Sequence, residues 1–256
     1  MGIGYRSFDI LLNMHTKSST LRLQVFLSRS GVCSRRKAFE LVQSGAVTVN
    51  GQVVCEPSTP VDPHKDAVCV RGQRVETKKY AYILLNKPAG CVTTKTGRFK
   101  EKTVYDYLPK EYHHLLPVGR LDKNTEGLLI FTNDGDLAYA LTHPKFNVDK
   151  TYYVHVRGQL DRDKAERLEK GVMVEGKRTV PASVKKVKVL KDRTEFYITI
   201  HEGRKRQVRL MSEAVGHQVI YLCRVEQGPV TLGALKVGAI RTLTTDEIKS
   251  LRSLCR

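Results

Sequence analysis

The stretch GRLDKNTEGLLIFTNDGD, residues 119–136, sets one aspartate, Asp122, between two cations, Arg120 and Lys123. A carboxylate so placed has three obvious uses: metal ligand, reacting group, or turn residue whose oxygens accept from nearby N–H groups. Metal binding fails first. A calcium loop of the EF-hand kind needs oxygen ligands at positions 1, 3 and 5 and a bidentate Glu at position 12. Counted from Asp122, position 5 is Glu126, off-pattern, and position 12 is Asn133. GLLIFTN reads as a strand where a helix should leave, and the flanking cations repel a divalent ion. The Asp-Lys-Thr-Gly run of a phosphorylated aspartate is broken by Asn124. The turn and the reactive readings both stay open on spacing alone, because Asn124, Thr125 and Gly127 supply turn chemistry.

Three further stretches carry residue types suited to a site. NKPAG, residues 86–90, ends a strand in a Pro-Gly turn beside Lys87. Lys150-Thr-Tyr152 heads the strand KTYYVHV. EGRKRQVRLMSEAVG passes from a strand into a helix bearing Arg204, Lys205, Arg206 and Arg209. On that helix Val208, Met211, Ala214 and Val215 form the expected buried stripe, which leaves Arg209 on the polar side near Lys205 and Glu213. Arg209 can pair with Glu213 at i,i+4, or reach a carboxylate from another part of the chain. Tyr152 is either a half-buried strand tyrosine beside Tyr153 or a flat face for a ligand ring.

The elements that must position these residues fall into two groups. Near Leu21 a short amphipathic helix carries Leu23, Phe26 and Leu27 and ends at Ser30-Gly31. Ser34 caps a second helix with Ala38, Leu41 and Val42 on its buried side and Gly45 as its stop. AVTVNGQVV is a hairpin signal around Asn50-Gly51, and a last short strand pair near DAVCVRG closes the unit. That second helix opens with Arg35, Arg36 and Lys37, against the helix dipole. The C-terminal helix obeys the dipole, with Thr244 and Glu247 set for a capping box and Asp246 beside them. The exception at Arg35 is expected where a phosphate is held. Beyond a polar linker, residues 73–79, alternating strands and helices without regular βαβ order imply an α+β class with a mixed, mostly antiparallel sheet. LDRDKAERLEKGV is one of these helices, capped by Asp161 and stopped at Gly171.

Bulk properties narrow the partners. The 256 residues hold 44 Lys+Arg against 26 Asp+Glu, a formal charge of +18, and the sequence pI is about 9.7. Such a surface attracts phosphate polyanions. The six cysteines, at 33, 55, 69, 91, 223 and 255, form no CxxC pair, so neither a zinc site nor a disulfide framework is expected and a reducing, cytoplasmic setting fits. No apolar run reaches the ~20 residues that span a bilayer, and no membrane partner is expected. No Gly-rich phosphate loop, dinucleotide fingerprint or zinc-deaminase signature occurs, so no cofactor and no metal is expected. In the N-terminal extension, residues 1–20, no secretory signal is expected. That segment is expected to be disordered or accessory, with Met14 as an alternative start.

Residues 21 to about 72 closely resemble an S4 RNA-binding domain, on RLQVFLSRSGVCSRRKAFELVQSGAVTVNGQVV. GRLDKNTEGLL, taken with NKPAG, Lys150-Thr-Tyr152 and GRKRQVR in that order after such a domain, resembles the ribosomal RNA pseudouridine synthases of the RsuA/RluB type. The similarity runs from about Leu21 to Leu251. It implies a catalytic domain over residues 80–256, with Asp122 catalytic, Tyr152 stacking on the target uracil and Arg209 paired with Asp122. On their charge and their places in these stretches, Arg35, Arg36, Lys37, Lys87, Arg120, Arg204, Lys205 and Arg206 are expected to contact RNA. Relatives commonly carry a second arginine where this chain has Leu210, which puts one RNA contact in doubt. The implied partner is ribosomal RNA or a ribosomal assembly intermediate, with the tail nearer to the large-subunit (23S) enzymes, and the protein is expected to be a monomer. The alternatives are a small-subunit (16S) synthase and a non-catalytic RNA-binding assembly factor.

Overall fold

The structure is a computed structural model that describes residues 20–97 and 101–254. The expectations for the N-terminal extension fall outside these residues, Thr20 excepted. The chain divides into two units, Met1–Lys79 and Tyr80–Arg256.

The first unit follows from local signals. Leu23, Phe26 and Leu27 are buried on helix α1 (Leu23–Arg29), and Ala38 and Val42 on α2 (Arg35–Gln43). Leu41 is half-buried and packs at the edge of the same core. Ser34 caps α2 by accepting from the Lys37 amide at 3.4 Å. Strand β1 (Leu21–Arg22) pairs antiparallel with β4 (Pro60–Val61). Strands β2 (Val47–Val49), β3 (Gln52–Val53), β5 (Val68–Val70) and β6 (Gln73–Arg74) form a sheet in the order β3-β2-β5-β6. The β2–β3 turn has Asn50 at φ 52° and Gly51 at φ 82°, the two positive dihedrals that match a tight turn to the twist of its strands. The residues at the start of the 73–79 stretch are thus strand, paired with β5.

The second unit is built on a nine-stranded sheet. Its members are β7 (Tyr82–Lys87), β8 (Leu116–Pro117), β9 (Glu126–Thr132), β10 (Lys150–Arg157), β13 (Ser183–Val189), β14 (Arg193–Ile200), β15 (Val219–Gln227), β16 (Val230–Thr231) and β17 (Ile240–Thr242). A separate hairpin pairs β11 (Met173–Val174) with β12 (Lys177–Arg178). The order β13-β14-β10-β15-β9-β7-β17 is antiparallel except at β15–β9, a parallel junction of two residue pairs, Cys223 with Glu126 and Arg224 with Gly127. Strand β14 alternates buried and half-buried residues, as a sheet with one covered face should. Strand β7 is buried along its whole length and β9 from Gly127 onward. Tyr82, Leu84, Leu128 and Ile130 meet α3 (Gly135–Thr142) and α6 (Thr245–Ser253) on one face; Ile83, Leu85, Leu129 and Phe131 meet the 91–121 segment on the other. Helices α4 (Arg162–Lys170) and α5 (Gln207–Ala214) cover β10, β14 and β15. Ala214, expected in the buried stripe of α5, is exposed; Gln207 and Ser212 are buried with Val208, Met211 and Val215.

Two features fix the loop between β8 and β9, which carries Asp122. Lys87 at the end of β7 is fully buried, and its ammonium donates to the carbonyls of Pro88 (3.0 Å), Asp122 (3.1 Å), Lys123 (3.3 Å) and Thr125 (2.9 Å). The Gly90 amide adds a bond to the Lys123 carbonyl at 2.8 Å, and Thr93 Oγ1 one to the Leu121 carbonyl at 2.8 Å. This corrects the expectation of Lys87 as an RNA contact: the ammonium is spent inside the fold, and burial lowers its pKa. The second feature is Gly127, at φ 104°, where a Cβ would collide with the Arg224 carbonyl and lie 2.8 Å from Cys223 Sγ.

Both features make quantitative claims. Lys87→Met removes the ammonium from four carbonyls; that of Lys123 keeps the Gly90 amide and that of Asp122 the Thr125 amide, so the Pro88 and Thr125 carbonyls lose their main donor. At about 1–3 kcal/mol for each buried group left unpaired, the loss is expected to reach ~3 kcal/mol. Urea unfolding measures it, and a loss below ~1 kcal/mol would show that the clamp is dispensable. Gly127→Ala combines backbone strain with a clash at the parallel junction, together about 3 kcal/mol. A melting midpoint lower by roughly 6–12 °C is the expected readout.

Candidate active site

The loop that Lys87 holds forms one wall of a cavity of about 590 Å³ in the second unit. Asp122 is the one carboxylate among the described lining residues, and seven cations share the lining with it. Its main chain makes the turn, accepting from the Thr125 amide at 3.1 Å. The half-buried carboxylate itself has no hydrogen bond and no ion pair among the described residues. The turn reading therefore explains the backbone of Asp122 and leaves the side chain unused.

Tyr152 lines the same cavity from β10, half-buried where two core clusters meet. Arg209 approaches the loop from α5. It does not pair with Asp122 within 4.0 Å, as the resemblance implied, nor with Glu213. Its guanidinium donates to the Asn124 carbonyl at 2.7 Å and to the Val219 carbonyl at 3.3 Å. Burial and the nearby Arg206 charge lower its pKa, opposed by the charges of Asp122 and Glu213. Arg209 is thus a loop anchor within the electrostatic reach of Asp122.

The expected RNA contacts separate into two kinds. Arg120, Lys205 and Arg206 are exposed and line the cavity; Arg206 stands at φ 56°, just before α5 begins. Arg204 is half-buried and occupied. It bonds Glu202 at 3.0 Å and the carbonyls of Lys177 and Arg178 at 3.2 and 2.8 Å, tying the β11–β12 hairpin to the start of α5. Three of its five N–H groups are thus engaged within the fold, and one remains on each terminal nitrogen.

Sequence reasoning passed over the cavity's deeper wall. Between Thr151 and Tyr152 the β10–β15 register shifts by a bulge, so Arg224 stands opposite Tyr152 and Gln227 opposite Lys150. Directly opposed residues of an antiparallel pair share a face, and all four line the cavity. Arg224 and Gln227 are buried. Lys150 donates to the carbonyls of Val148 (2.9 Å) and His201 (3.2 Å), and burial, reinforced by the Arg224 charge, pushes its pKa down to about 8. The available signal was a charged residue, Arg224, inside the apolar run YLCRV; no sequence feature marks the bulge.

In the first unit, Arg35, Arg36 and Lys37 are exposed in the opening turn of α2, which holds no acid. Arg35 and Arg36 border a shallow groove with Phe39, which is 43% exposed. Glu40 and Gln24 complete its lining, and an exposed aromatic ring beside two arginines suits a stacked base next to a phosphate. Helix α6 shows the contrast: Thr244 and Glu247 complete a capping box, with Asp246 in the first turn.

Comparison with known proteins accounts for both units. A model of the S4 domain matches residues 21–68, and a model of the RNA pseudouridylate synthase family matches residues 81–214. The chain is 43% identical over 235 residues to the ribosomal large subunit pseudouridine synthase B of Bacillus subtilis (strain 168), covering 91% of this chain and 96% of that protein. It is 40% identical over 233 residues to an uncharacterised RNA pseudouridine synthase of Aquifex aeolicus (strain VF5), covering 90% and 93%. Among solved structures, a pseudouridylate synthase crystal structure superposes with a TM-score of 0.64 at 30% identity, covering 90% of this chain and 99% of that one. With a family model spanning just over half of its residues and relatives matched nearly end to end, the chain belongs to the RNA pseudouridine synthases, isomerases of the S4-bearing RsuA/RluB type.

Proposed function

We propose that the protein converts one uridine of large-subunit ribosomal RNA to pseudouridine, with Asp122 as the reacting carboxylate and no cofactor. The observation that carries this reading is the unpaired Asp122 carboxylate in a cavity whose other charged lining residues are all cations, with Tyr152 in the same lining. The relative named for large-subunit ribosomal RNA supports the choice of substrate. Substrate and product are isomers, so the reaction needs neither an oxidant nor an energy source. The N1–C1′ bond breaks, the base turns, C5 joins C1′, and the C5 proton is replaced by one on N1. Asp122 either attacks C1′ or takes a proton from C2′; both routes need a carboxylate held in place, which the Lys87 and Arg209 anchors provide. Tyr152 offers a ring for the detached uracil to stack on. The target base must leave its stack to enter the cavity, and Arg120, Lys205 and Arg206 then meet the backbone phosphates around it. Arg35, Arg36 and Lys37 grip RNA at a second place along the chain.

Purified protein would be mixed with transcribed large- and small-subunit RNA and with ribosomal particles, and pseudouridine mapped by carbodiimide-based primer extension. One new stop in large-subunit RNA is expected, with Asp122→Asn slowing its formation by roughly three orders of magnitude or more. A stop in small-subunit RNA alone would reassign the substrate. Tight binding with no stop in any of them would make the protein a non-catalytic assembly factor. Replacing Arg35, Arg36 and Lys37 together by Ala is expected to weaken RNA binding and to reduce the slope of log K against log[salt] by about 2–3. An unchanged slope would show that these cations do not contact phosphate.

A further inference from the structure

The Asp122 cavity has two cations in its deeper wall, Arg224 and Lys150, and neither has a carboxylate within 4.0 Å among the described residues. Arg224 is 2% exposed. Its Nε donates to the Leu128 carbonyl at 2.8 Å, while Nη2 is enclosed with no acceptor. Thr125 Oγ1 and Gln227 Oε1, in the same lining, are also enclosed without partners. Removing two like charges from water without a counter-ion is costly, and an enclosed donor without an acceptor adds to the cost. Elsewhere in this unit the chain does supply acids to cations: Glu202 to Arg204, Glu247 to Arg241, Asp134 to Arg252. The wall by Tyr152 is left without one.

We propose that Arg224, with Lys150 beside it, stabilises the negative charge that the uracil acquires when it separates from the ribose. This rests on the isomerase reading above and concerns a charge that exists only during the reaction. As N1–C1′ breaks, its electron pair goes to the base, which becomes an anion with charge spread over O2 and O4. C1′ is captured by the Asp122 carboxylate or relieved by loss of a C2′ proton. When C5 bonds to C1′, the base's electrons form that bond, the C1′–Asp122 bond breaks with its electrons returning to the carboxylate or, on the other route, C2′ regains its proton, the C5 proton leaves, and N1 takes up a proton. Register argues for the base over a phosphate as the anion. Arg224 is the direct cross-strand neighbour of Tyr152, and Lys150 lies two residues before it on the same face. The cations available to phosphates, Arg120, Lys205 and Arg206, are the exposed ones. Unpaired positive charge in a water-poor wall stabilises a developing anion most where it need not reorient, which suits a guanidinium held by the Leu128 carbonyl.

The test compares wild type, Arg224→Gln, Arg224→Lys and Lys150→Gln on short RNAs carrying either uridine or 5-fluorouridine at the mapped target. Single-turnover loss of the N1-linked nucleoside is followed by digestion and chromatography, and RNA affinity is measured separately. Fluorine makes the departing base a weaker base, so it needs less help from the protein. Arg224→Gln is expected to slow cleavage of uridine on the order of 100-fold. The defect should shrink severalfold on 5-fluorouridine, and Arg224→Lys should recover part of the rate. Lys150→Gln, whose side chain bonds only the Val148 and His201 carbonyls, should show the same substrate dependence and serves if Arg224→Gln does not fold. Equal defects on the two substrates would reduce both residues to structural supports and overturn the proposal. A loss confined to RNA affinity would assign them to a phosphate and overturn it equally. A wild type that forms no pseudouridine would instead refute the isomerase reading itself.

Discussion

The Lys87 ammonium, fully buried and donating to four main-chain carbonyls, is the constraint on which the site depends. A turn between two strands has no ladder to satisfy its carbonyls, and burying it would leave them unpaired. Lys87 resolves this from the end of β7, and the Gly90 amide adds to it from the turn that follows. NKPAG therefore makes sense as one device. The lysine reaches under the Asp122 loop, and the Pro-Gly turn brings the chain back alongside it. Arg209 completes the hold from a helix more than eighty residues later, through the Asn124 carbonyl.

The protein's excess of cations thus serves three different ends. Some are consumed in the fold: Lys87 under the loop, Arg204 at the β11–β12 hairpin, Arg209 on the loop itself. Some are exposed and suited to a polyanion, including Arg120, Lys205, Arg206 and the Arg35–Lys37 turn. Arg224 belongs to neither group, with one nitrogen enclosed and without an acceptor in a cavity wall that holds no acid; half-buried Lys150 stands beside it on two carbonyls, also without an acid. A single net charge conceals this partition, because a cation in water, a cation on carbonyls and a cation awaiting an anion contribute equally to +18.

That concealment also explains what could be read from the chain. Local features were legible wherever a few neighbouring residues decide them: Ser34 on α2, the Asn50-Gly51 turn, Asp161 on α4, the capping box of α6. The mixed, mostly antiparallel sheet was legible from the order of strands and helices. Asp122 and Tyr152 were legible through motif resemblance, and they do share a cavity. Lys87 was misread, and the inward bonds of Arg204 were missed, because residue type says nothing about whether a charged head lies in water or on carbonyls of the fold. Ala214 was misread because the helical wheel assumes cover on every apolar position, and α5 is covered only along the side that faces the sheet. Arg224 went unnoticed because its alignment with Tyr152 depends on a bulge in a pairing between strands some seventy residues apart.

The anchoring of the Asp122 loop also bears on how such an enzyme can diverge. Apart from the partly exposed Lys123–Glu101 ion pair, the polar side chains that hold residues 121–125 from outside the loop end on main-chain atoms, among them the carbonyls of Leu121, Asp122, Lys123, Asn124 and Thr125. A carbonyl is the same whatever side chain its residue carries. The side chains at positions 120, 123 and 124 can therefore change type, and with them the groups presented to an RNA, while the carboxylate of residue 122 stays where it is. Placement and recognition are carried by different atoms of one short segment, so drift toward a new target need not pass through a dead enzyme.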